Sequence, residues 1–498
     1  MRIRGAALPL ALLALLFFAA EAQAVVPVRV SPRQRLLALL PYLIAAVVVL
    51  AALVPLVWLA LRVLSRRLRA KGYRRPALTS AILFFASALS VCVALVTLSP
   101  RRPPAPKKPP PIEPTGTWAT FMGSCARTGC APGARGPEKG EKLWAFCDGL
   151  SRAPFGASPA VAGGRVYVGS DNRKLYCFDA RTGDVVWTFE AACEVFASPV
   201  LADGRLFLGE GLHESKNSKL YCLDAATGTP EWTFPTASHI EFSPTLFGGK
   251  LYVAAGEDGV YCLDPSTGRA LWQYPGVHVD MSPAVTERGV LFGSVYGSPA
   301  CYCLDPKDGR LVWKKPAPLG VCGSPSTDGE RAYFGLGNGT FEASHKQPKG
   351  AAWCLAVADG GVVWTREVKD AVLTTIALAD GSAYFGSRDG HLYCVDAKSG
   401  EARWAFQTEE PILSSPAVAS GRVYFGSNDA NVYCLDAATG REFWRYDTSQ
   451  VAFNTDARVF SSPAVADDRV FVGSMNFYFF CLGHRLPETP LPEKPTAP

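Results

Sequence analysis

Short apolar runs separated by turn residues fill the chain from Trp144 onward. A representative stretch, residues 414–444, reads SSPAVASGRVYFGSNDANVYCLDAATGREFW. β-Branched and aromatic residues form its apolar runs, and Gly, Asn and Asp separate them, which is typical of four short antiparallel strands joined by hairpin turns. The Asp and the Thr-Gly before the last tryptophan suit a turn, because Asp bonds to its own backbone and Gly accepts positive φ.

The same unit recurs along the chain, and its copies end on tryptophans. The spacing from one tryptophan to the next is 45, 40, 41, 51, 40 and 40 residues through Trp187, Trp232, Trp272, Trp313, Trp364, Trp404 and Trp444. A period near 40 residues carried by short strands predicts a radial array of small sheets. The tryptophans, together with Trp144, are expected to dock neighbouring blades by burying large apolar areas.

One cysteine at an equivalent strand position marks each unit. There are eight, at Cys177, Cys222, Cys262, Cys303, Cys354, Cys394, Cys434 and Cys481. The eighth unit stops before its last strand, while the strand of Trp144 precedes the first unit and should complete the last blade, leaving no open edge. The sequence therefore predicts an all-β fold over residues 115–485: an eight-bladed β-propeller of four-stranded blades, preceded by N-terminal transmembrane helices.

The N-terminal region carries the pattern of a membrane anchor. The predicted segments are a signal peptide or first membrane span at 1–24, transmembrane helices at 36–61 and 77–98 around a basic cytoplasmic loop at 66–75, a Pro-rich linker at 99–114, and a disordered tail at 486–498. A short loop this basic stays in the cytoplasm, so we expect the propeller on the periplasmic or extracellular side of the cell membrane.

Charge is unevenly distributed along the chain. Residues 1–114 hold 16 of the 50 Lys and Arg and 2 of the 44 Asp and Glu, which leaves 34 basic and 42 acidic residues for the propeller. Nucleic-acid binding needs a basic face, so we expect no nucleic-acid partner. Motifs for covalent haem attachment, nucleotide phosphates, zinc proteases and serine hydrolases do not occur in the sequence, which argues against those enzyme classes.

Alignment of the repeats on their Ser-Pro dipeptide brings histidines and carboxylates to matching positions near the predicted central funnel. HIEFSP and HVDMSP lie in adjacent blades, and two further blades place a charged residue at the histidine position. The candidate funnel site comprises Glu194, His239, Glu241, His278, Asp280 and Arg458. His and carboxylate groups suit a divalent metal, and Arg suits an anionic group. Duplication of solvated loop residues gives the same alignment, and on sequence alone we prefer this second interpretation and assign no catalytic or metal residue.

Other histidines and the cysteines have simpler explanations. His213 and His345 fall in loops and are expected to be exposed. The eight repeat cysteines lie in separate blades, too far apart to bond, and are expected to be small buried thiols. Cys125 and Cys130 share a loop segment in an oxidising compartment, so a local disulfide between them is predicted.

The repeats resemble the pyrroloquinoline-quinone (PQQ)-like β-propeller family. The resemblance rests on Asp-x-x-Thr-Gly before a tryptophan at 179–187, 224–232, 264–272 and 436–444, and on WATFMGSCARTGC before the first blade. That family includes quinoprotein dehydrogenases and non-catalytic propellers such as the outer-membrane-assembly lipoprotein. The chain lacks the adjacent cysteine pair typical of the dehydrogenases, so it resembles the non-catalytic type more, although no lipidated cysteine follows residue 24.

We therefore expect a membrane-anchored extracytoplasmic propeller that is a protein-interaction or ligand-binding scaffold, with a protein or cell-envelope partner and no enzymatic activity. The resemblance leaves a divergent PQQ-dependent oxidoreductase as an alternative, which would need PQQ with calcium, a cofactor that we do not expect here. A third possibility is a sensor that binds a small ligand or metal at the funnel. Quinone-dependent turnover would identify the enzyme, and ligand binding without turnover would identify the sensor.

Overall fold

A computed structural model describes residues 118–131, 133–149, 151–451 and 456–485 of the 498-residue chain. The predicted signal peptide, transmembrane helices, basic loop, linker and C-terminal tail lie outside these residues. In the described part, no helix has the length and apolar character needed to cross a membrane. Its helical segments are two short 3-10 turns, Phe121–Gly123 and Thr448–Gln450.

The remaining regular structure consists of 33 strands in eight antiparallel sheets, here called blades one to eight. Blades one and two contain β2 (Ala160–Ala162), β3 (Arg165–Ser170), β4 (Lys174–Asp179), β5 (Val185–Glu190), and β6 (Val200–Ala202), β7 (Arg205–Gly209), β8 (Lys219–Asp224), β9 (Pro230–Pro235). Blades three and four contain β10 (Thr245–Phe247), β11 (Lys250–Ala254), β12 (Val260–Leu263), β13 (Ala270–Tyr274), and β14 (Ala284–Thr286), β15 (Gly289–Ser294), β16 (Ala300–Leu304), β17 (Leu311–Pro316).

The second half of the ring follows the same order. Blades five and six contain β18 (Gly320–Val321), β19 (Ser326–Thr327), β20 (Arg331–Gly337), β21 (Gly350–Ala356), β22 (Val362–Val368), and β23 (Ala377–Ala379), β24 (Ser382–Gly386), β25 (His391–Asp396), β26 (Ala402–Gln407). Blades seven and eight contain β27 (Ala417–Ala419), β28 (Arg422–Gly426), β29 (Asn431–Asp436), β30 (Glu442–Asp447), and β31 (Ala464–Ala466), β32 (Arg469–Gly473), β33 (Phe479–Gly483), β1 (Glu141–Phe146).

Blade five departs from the four-stranded pattern. Its insertion between β20 and β21 lengthens both strands to 7 residues. The longer β20 has room for two innermost segments, so β18 pairs with its far end and β19 with its beginning.

The ring closes as the count of repeats predicts. β1 pairs antiparallel with β33 as the outermost strand of blade eight and sets Trp144 opposite Cys481. The same cysteine–tryptophan pair, for example Cys434 opposite Trp444, joins the third and fourth strands of the other blades. The predicted all-β eight-bladed propeller, with an N-terminal strand completing the last blade, is therefore confirmed.

Each blade docks on the next through its tryptophan. The Trp404 ring lies so close to Gly440 that a Cβ atom there would come within 2.7 Å of the ring, and Trp404 Nε1 donates to the Ala437 carbonyl at 3.1 Å. The equivalent bond to a carbonyl of the next blade is made by Trp144, Trp187, Trp232, Trp272, Trp313 and Trp364. Trp444 packs on Gly140 and its Nε1 has no partner among the described residues, since blade eight lacks the Asp-x-x-Thr-Gly turn.

The Ser-Pro dipeptides form a hydrogen-bonded belt around the axis. The backbone N–H of Ser415 donates to Ser462 Oγ in the next blade at 3.0 Å, and that of Ser462 donates to Ser158 Oγ in blade one at 2.9 Å. Four more junctions repeat the bond, with donors Ser158, Ser243, Ser282 and Thr375. The belt fixes the starting points of the innermost strands, and hence the loops that lead into them.

Residues 118–131, here called the plug, fill the channel inside the innermost strands. Backbone N–H groups of those strands donate to plug carbonyls, as Val161 does to Trp118 at 2.8 Å and Val418 to Gly129 at 2.7 Å. Comparable bonds come from the innermost strands of blades two, four, five and six. The plug therefore satisfies donors that the inner sheet edges would otherwise leave unpaired.

Arg127 is the centre of the plug and is completely buried. Its guanidinium donates to the carbonyls of Phe121 at 2.9 Å and Pro244 at 2.8 Å, and to Thr245 Oγ1 at 2.5 Å. Burial lowers its pKa to about 9, so the group still carries its charge at neutral pH. These contacts tie the plug to blade three, which the backbone bonds of the plug do not reach.

Candidate functional site

The loops leading into the innermost strands surround a cavity of about 330 Å³, here called the funnel. Phe121 of the plug contacts the funnel, so the plug closes its inner end. The wall is largely apolar and includes Phe196, Phe242, Phe341, Leu373, Leu413, Phe460 and Met475. The Asp, Glu, Lys and Arg side chains of the wall are those of Glu241, Glu342 and Arg458.

Beside the funnel, four side chains meet in a group here called the mouth cluster: His213, His239, His278 and Asp280. His239 Nε2 lies 2.9 Å from Asp280 Oδ1, and His278 Nε2 lies 2.8 Å from Asp280 Oδ2. His213 Nδ1 lies 3.1 Å from Asp280 Oδ2. Three imidazoles therefore converge on one carboxylate.

Blades two to four supply these groups. His213 lies in the loop between β7 and β8 of blade two, and His239 lies in the connection from blade two to blade three. His278 and Asp280 lie in the next connection, from blade three to blade four. Because the repeat places these connections side by side at the same end of the channel, adjacent blades bring equivalent residues together.

Burial differs strongly within the mouth cluster. The side chain of His239 is only 2 % exposed and that of Asp280 10 %, whereas that of His213 is 47 % exposed. The interpretation as solvated loop residues therefore does not describe His239 or Asp280. One side of the cluster faces the core and the other opens to solvent through His213.

Hydrogen bonding and charge set the protonation of this cluster. Burial by itself lowers the pKa of His239, but the hydrogen bond and attraction to Asp280 outweigh it and raise that pKa above its usual value. Burial tends to raise the pKa of Asp280, but its three histidine neighbours bring that pKa below its usual value. The carboxylate of Asp280 is thus stabilised in its ionised form.

Further carboxyl groups make the surroundings acidic. Burial, followed by the charge of Asp280, raises the pKa of Glu241 to about 7. Burial, followed by the charge of Glu194, raises the pKa of Asp171 to about 6. Asp171 Oδ1 is buried and has no hydrogen-bond partner among the described residues. Burial thus disfavours the ionised forms of both carboxyl groups.

Arg458, the last member of the predicted site, bonds to Asp456 and to none of the residues of the mouth cluster. Its guanidinium pairs with Asp456 at 2.6 Å and lies over the Phe460 ring, 4.9 Å from the centroid. It lines the funnel together with Glu241, but its charge is already engaged by Asp456. Of the six predicted residues, the structure joins His239, His278 and Asp280 directly, with Glu241 and Glu194 in the surrounding acidic groups.

Several residues that position the cluster were not predicted. Tyr296 Oη lies 3.1 Å from His213 Nε2, and Ser238 Oγ lies 3.3 Å from His239 Nδ1. Gly256 lies against the His239 ring, where a Cβ atom would come within 2.7 Å of Cε1. His213 itself was expected to be only an exposed loop residue. The available signal was the 45-residue spacing in blade two, whose extra residues form the loop that carries His213.

Cys125 and Cys130 are both free thiols in this structure. The backbone carbonyl of Cys125 accepts from Val285 in blade four, whereas Cys130 pairs with Val418 in blade seven. The two residues are thus held by different blades, and their disulfide stays a prediction. The eight repeat cysteines are all buried free thiols.

The mouth cluster offers three imidazole nitrogens and a carboxylate oxygen, all within 4.8 Å of one another. Such a set can hold a divalent transition metal ion. The apolar funnel beside it offers a different chemistry, namely contact with hydrophobic side chains of a bound partner.

Comparisons with known proteins identify a repeat family and solved structures that resemble this chain. A repeat family described as outer membrane protein assembly factor BamB matches residues 133–274, 211–294, 260–347 and 348–477. A comparison with curated proteins gave no match. Among solved structures, BamB from Moraxella catarrhalis is similar at 19 % identity and a TM-score of 0.53, over 69 % of this chain and 97 % of that one.

Two further similar structures have different origins. The computationally designed Ika8 protein shares 15 % identity with a TM-score of 0.58, over 69 % of this chain and all (100 %) of the design. The quinohemoprotein alcohol dehydrogenase from Comamonas testosteroni shares 15 % identity with a TM-score of 0.55, over 75 % of this chain and 82 % of that one. At this level of identity the structural likeness shows the fold alone.

Proposed function

Because the chain belongs to the repeat family described as outer membrane protein assembly factor BamB, we propose that it acts as a non-enzymatic protein-interaction scaffold. The observation that carries this proposal is the funnel, an apolar cavity at one end of a channel that the plug closes. A closed channel serves binding rather than passage. The fold alone would not distinguish these functions, since propellers carry many.

The partner that fits the funnel is a protein segment with apolar side chains next to a basic residue. Phe196, Phe242 and Phe460 are half-buried in the wall and retain surface for contact. Partly exposed aromatic side chains in a concave site are the usual anchors of protein recognition. Glu241 and Glu342 supply the negative charge that a basic residue of the partner would meet.

We also propose that the propeller works outside the cytoplasm and is attached to the cell membrane through the N-terminal apolar segments. The support comes from the amino-acid sequence, namely the apolar stretches 36–61 and 77–98 and the basic loop between them. A cell-envelope protein is accordingly the expected class of partner.

The residues around the funnel do not fit the quinone that the resemblance to dehydrogenases implies. PQQ carries three carboxylates, whereas the funnel presents Glu241 and Glu342, and its Arg458 is paired with Asp456. Calcium prefers six to eight oxygen ligands, and the grouped donors here are mostly imidazoles. We therefore derive no quinone chemistry for this chain.

Site-specific photo-cross-linking of the full chain in its own membrane tests the scaffold function. A photoreactive residue at Phe460 should give a discrete protein adduct, and a Phe196→Asp substitution should abolish it. The same probe at Val363, which is 46 % exposed on the outermost strand of blade five, should give none. An adduct formed only from Val363, or from neither position, would overturn the funnel as the binding surface.

A further inference from the structure

We propose that His213, His239, His278 and Asp280 form a Zn²⁺ site that joins the loops of blades two, three and four beside the funnel. This inference does not depend on the scaffold function. The sequence contains 6 histidines, and 3 of them converge here from three separate segments. The same carboxylate, Asp280, receives all three rings.

The distances fit an ion with small adjustments. Zinc binds imidazole nitrogen and carboxylate oxygen at about 2.0–2.2 Å in a tetrahedron, which places neighbouring ligand atoms roughly 3.3 Å apart. The nitrogen–oxygen distances from Asp280 are 2.9 Å to His239, 2.8 Å to His278 and 3.1 Å to His213. Binding an ion therefore requires these contacts to open by a few tenths of an ångström, while the four ligand atoms, now within 4.8 Å of one another, close to the tetrahedral spacing.

The type of donor decides between ions. Calcium and magnesium prefer sites built from oxygen, whereas three imidazoles with one carboxylate suit zinc and its transition-metal neighbours. The carboxyl group of Glu241 also interacts electrostatically with Asp280, and a cation bound to Asp280 would favour the ionised form of Glu241.

The surroundings hold the ligands in place. His239 is buried and its second ring nitrogen meets Ser238 Oγ at 3.3 Å, while His213 Nε2 meets Tyr296 Oη at 3.1 Å. Partners of this kind orient metal-bound imidazoles and set their tautomers. The ring of Tyr296 also packs on His278, with 4.9 Å between centroids.

A His–Asp pair in blade six serves as a comparison for the mouth cluster. His391 Nδ1 lies 3.3 Å from Asp389 Oδ1 in blade six, an ordinary His–Asp contact. That pair offers one imidazole nitrogen, whereas the mouth cluster offers three beside its carboxylate, which completes the donor set of a four-coordinate ion. His391 therefore supplies a matched control.

The test uses the full chain in detergent with its thiols kept reduced. The protein is stripped with a chelator and titrated with Zn²⁺ against a chromogenic competitor. We expect one tightly bound ion per chain, with affinity at least about 100-fold weaker in His239→Gln and roughly 10-fold weaker in His213→Ala, whose exposed side chain leaves folding intact. His391→Ala should match the wild type, and Co²⁺ should give the intense visible absorption of a tetrahedral site.

Three results would overturn the proposal. The first is a wild-type chain that binds no stoichiometric Zn²⁺. The second is unchanged zinc binding when His213, His239 and His278 are all replaced, because one of the 15 cysteines would then be the ligand. The third is displacement of Zn²⁺ by equimolar Ca²⁺, since an imidazole-rich site should discriminate strongly against calcium.

Discussion

Arg127 lies inside the central channel and Asp280 beside its mouth, and the partners of the two charged groups differ in kind. Arg127 in the plug is wholly buried and bonds to neutral carbonyl and hydroxyl oxygens of the plug and blade three. Asp280 in the mouth cluster bonds to ionisable side chains, with further carboxyl groups nearby and an opening to solvent through His213. We call the first the closed centre, because no part of Arg127 reaches solvent, and the second the open centre, because His213 does.

This difference separates a structural charge from a functional one. The partners of Arg127 are backbone carbonyls and threonine hydroxyls within the fold, so the contact adds rigidity to the ring. In the mouth cluster the pKa values of His239 and Asp280 are shifted, as is that of the neighbouring Glu241, and shifted pKa values are common at binding and catalytic sites.

The largest effect is expected from Arg127→Met, which removes the closed centre. The substitution leaves several buried acceptors without a donor, so the free energy of unfolding should fall by about 3–5 kcal/mol. Guanidinium denaturation followed by tryptophan fluorescence would measure it, with the exposed Arg181→Met as control. A loss below about 1 kcal/mol would mean that the plug does not hold the ring together.

Asp171→Asn should instead raise the free energy of unfolding. The pKa of Asp171 is raised from its usual 3.8 to about 6, so the folded state disfavours the carboxylate. That destabilisation is absent well below pH 4, grows as the pH rises towards 6, and is complete above it. The variant should therefore be more stable than the wild type by about 1–3 kcal/mol at pH 7 and equal to it at pH 3.5.

Matched denaturation curves at the two pH values test this sign. The exposed Glu409→Gln is the control, and it should change stability little at either pH. If Asp171→Asn destabilises the protein at pH 7, the carboxylate makes a stabilising contact. The carboxyl groups around the mouth cluster would then be as well satisfied by their surroundings as Arg127 is in the plug.

The fold could be predicted because its determinants repeat. Each unit carries the same cysteine and tryptophan on paired strands, so counting Cys177 to Cys481 gave the number of blades, and the unassigned Trp144 gave the closure. The Arg127 centre could not be predicted in this way. It occurs once, and nothing in its neighbours indicates that eight strands will converge around it.

The site was predictable only where it follows the repeat. His239, His278 and Asp280 occupy equivalent positions of adjacent blades, so alignment placed them side by side. Arg458 occupies the same aligned position, but equivalent positions are distributed around a ring, and only adjacent blades bring them into contact. His213 sits in an insertion between the second and third strands of blade two, away from the Ser-Pro dipeptide on which the repeats were aligned, so the alignment could not relate it to the others.

A smaller effect is expected from Gly256→Ala, which tests how tightly the mouth cluster is held. Gly256 has φ +46°, and an added Cβ would come within 2.4 Å of Ser238 Oγ, the hydrogen-bond partner of His239, and within 2.7 Å of His239 Cε1. Gly381 also has positive φ, +72°, but open space around its Cβ position, so Gly381→Ala isolates the backbone strain. We expect each to cost about 1 kcal/mol from strain, and Gly256→Ala about 1 kcal/mol more.

Zinc titration extends the same comparison. Displacement of His239 should weaken Zn²⁺ binding roughly 10-fold in Gly256→Ala and leave it unchanged in Gly381→Ala. Equal stability and equal zinc affinity in the two variants would show that the His239 ring moves freely, and that the mouth cluster is less fixed than the contact with Gly256 indicates.

The smallest effect is expected from Arg458→Gln, which removes a charge that lines the funnel but belongs to neither centre. Its partner Asp456 is about one-third exposed, and exposed ion pairs contribute little, so the free energy of unfolding should change by less than about 1 kcal/mol. Zinc affinity discriminates further. If the Arg458 charge acted on the mouth cluster, its removal would strengthen cation binding, whereas a guanidinium neutralised by Asp456 leaves it unchanged. An increase in zinc affinity of several-fold would therefore show that the charge of Arg458 acts on the mouth cluster.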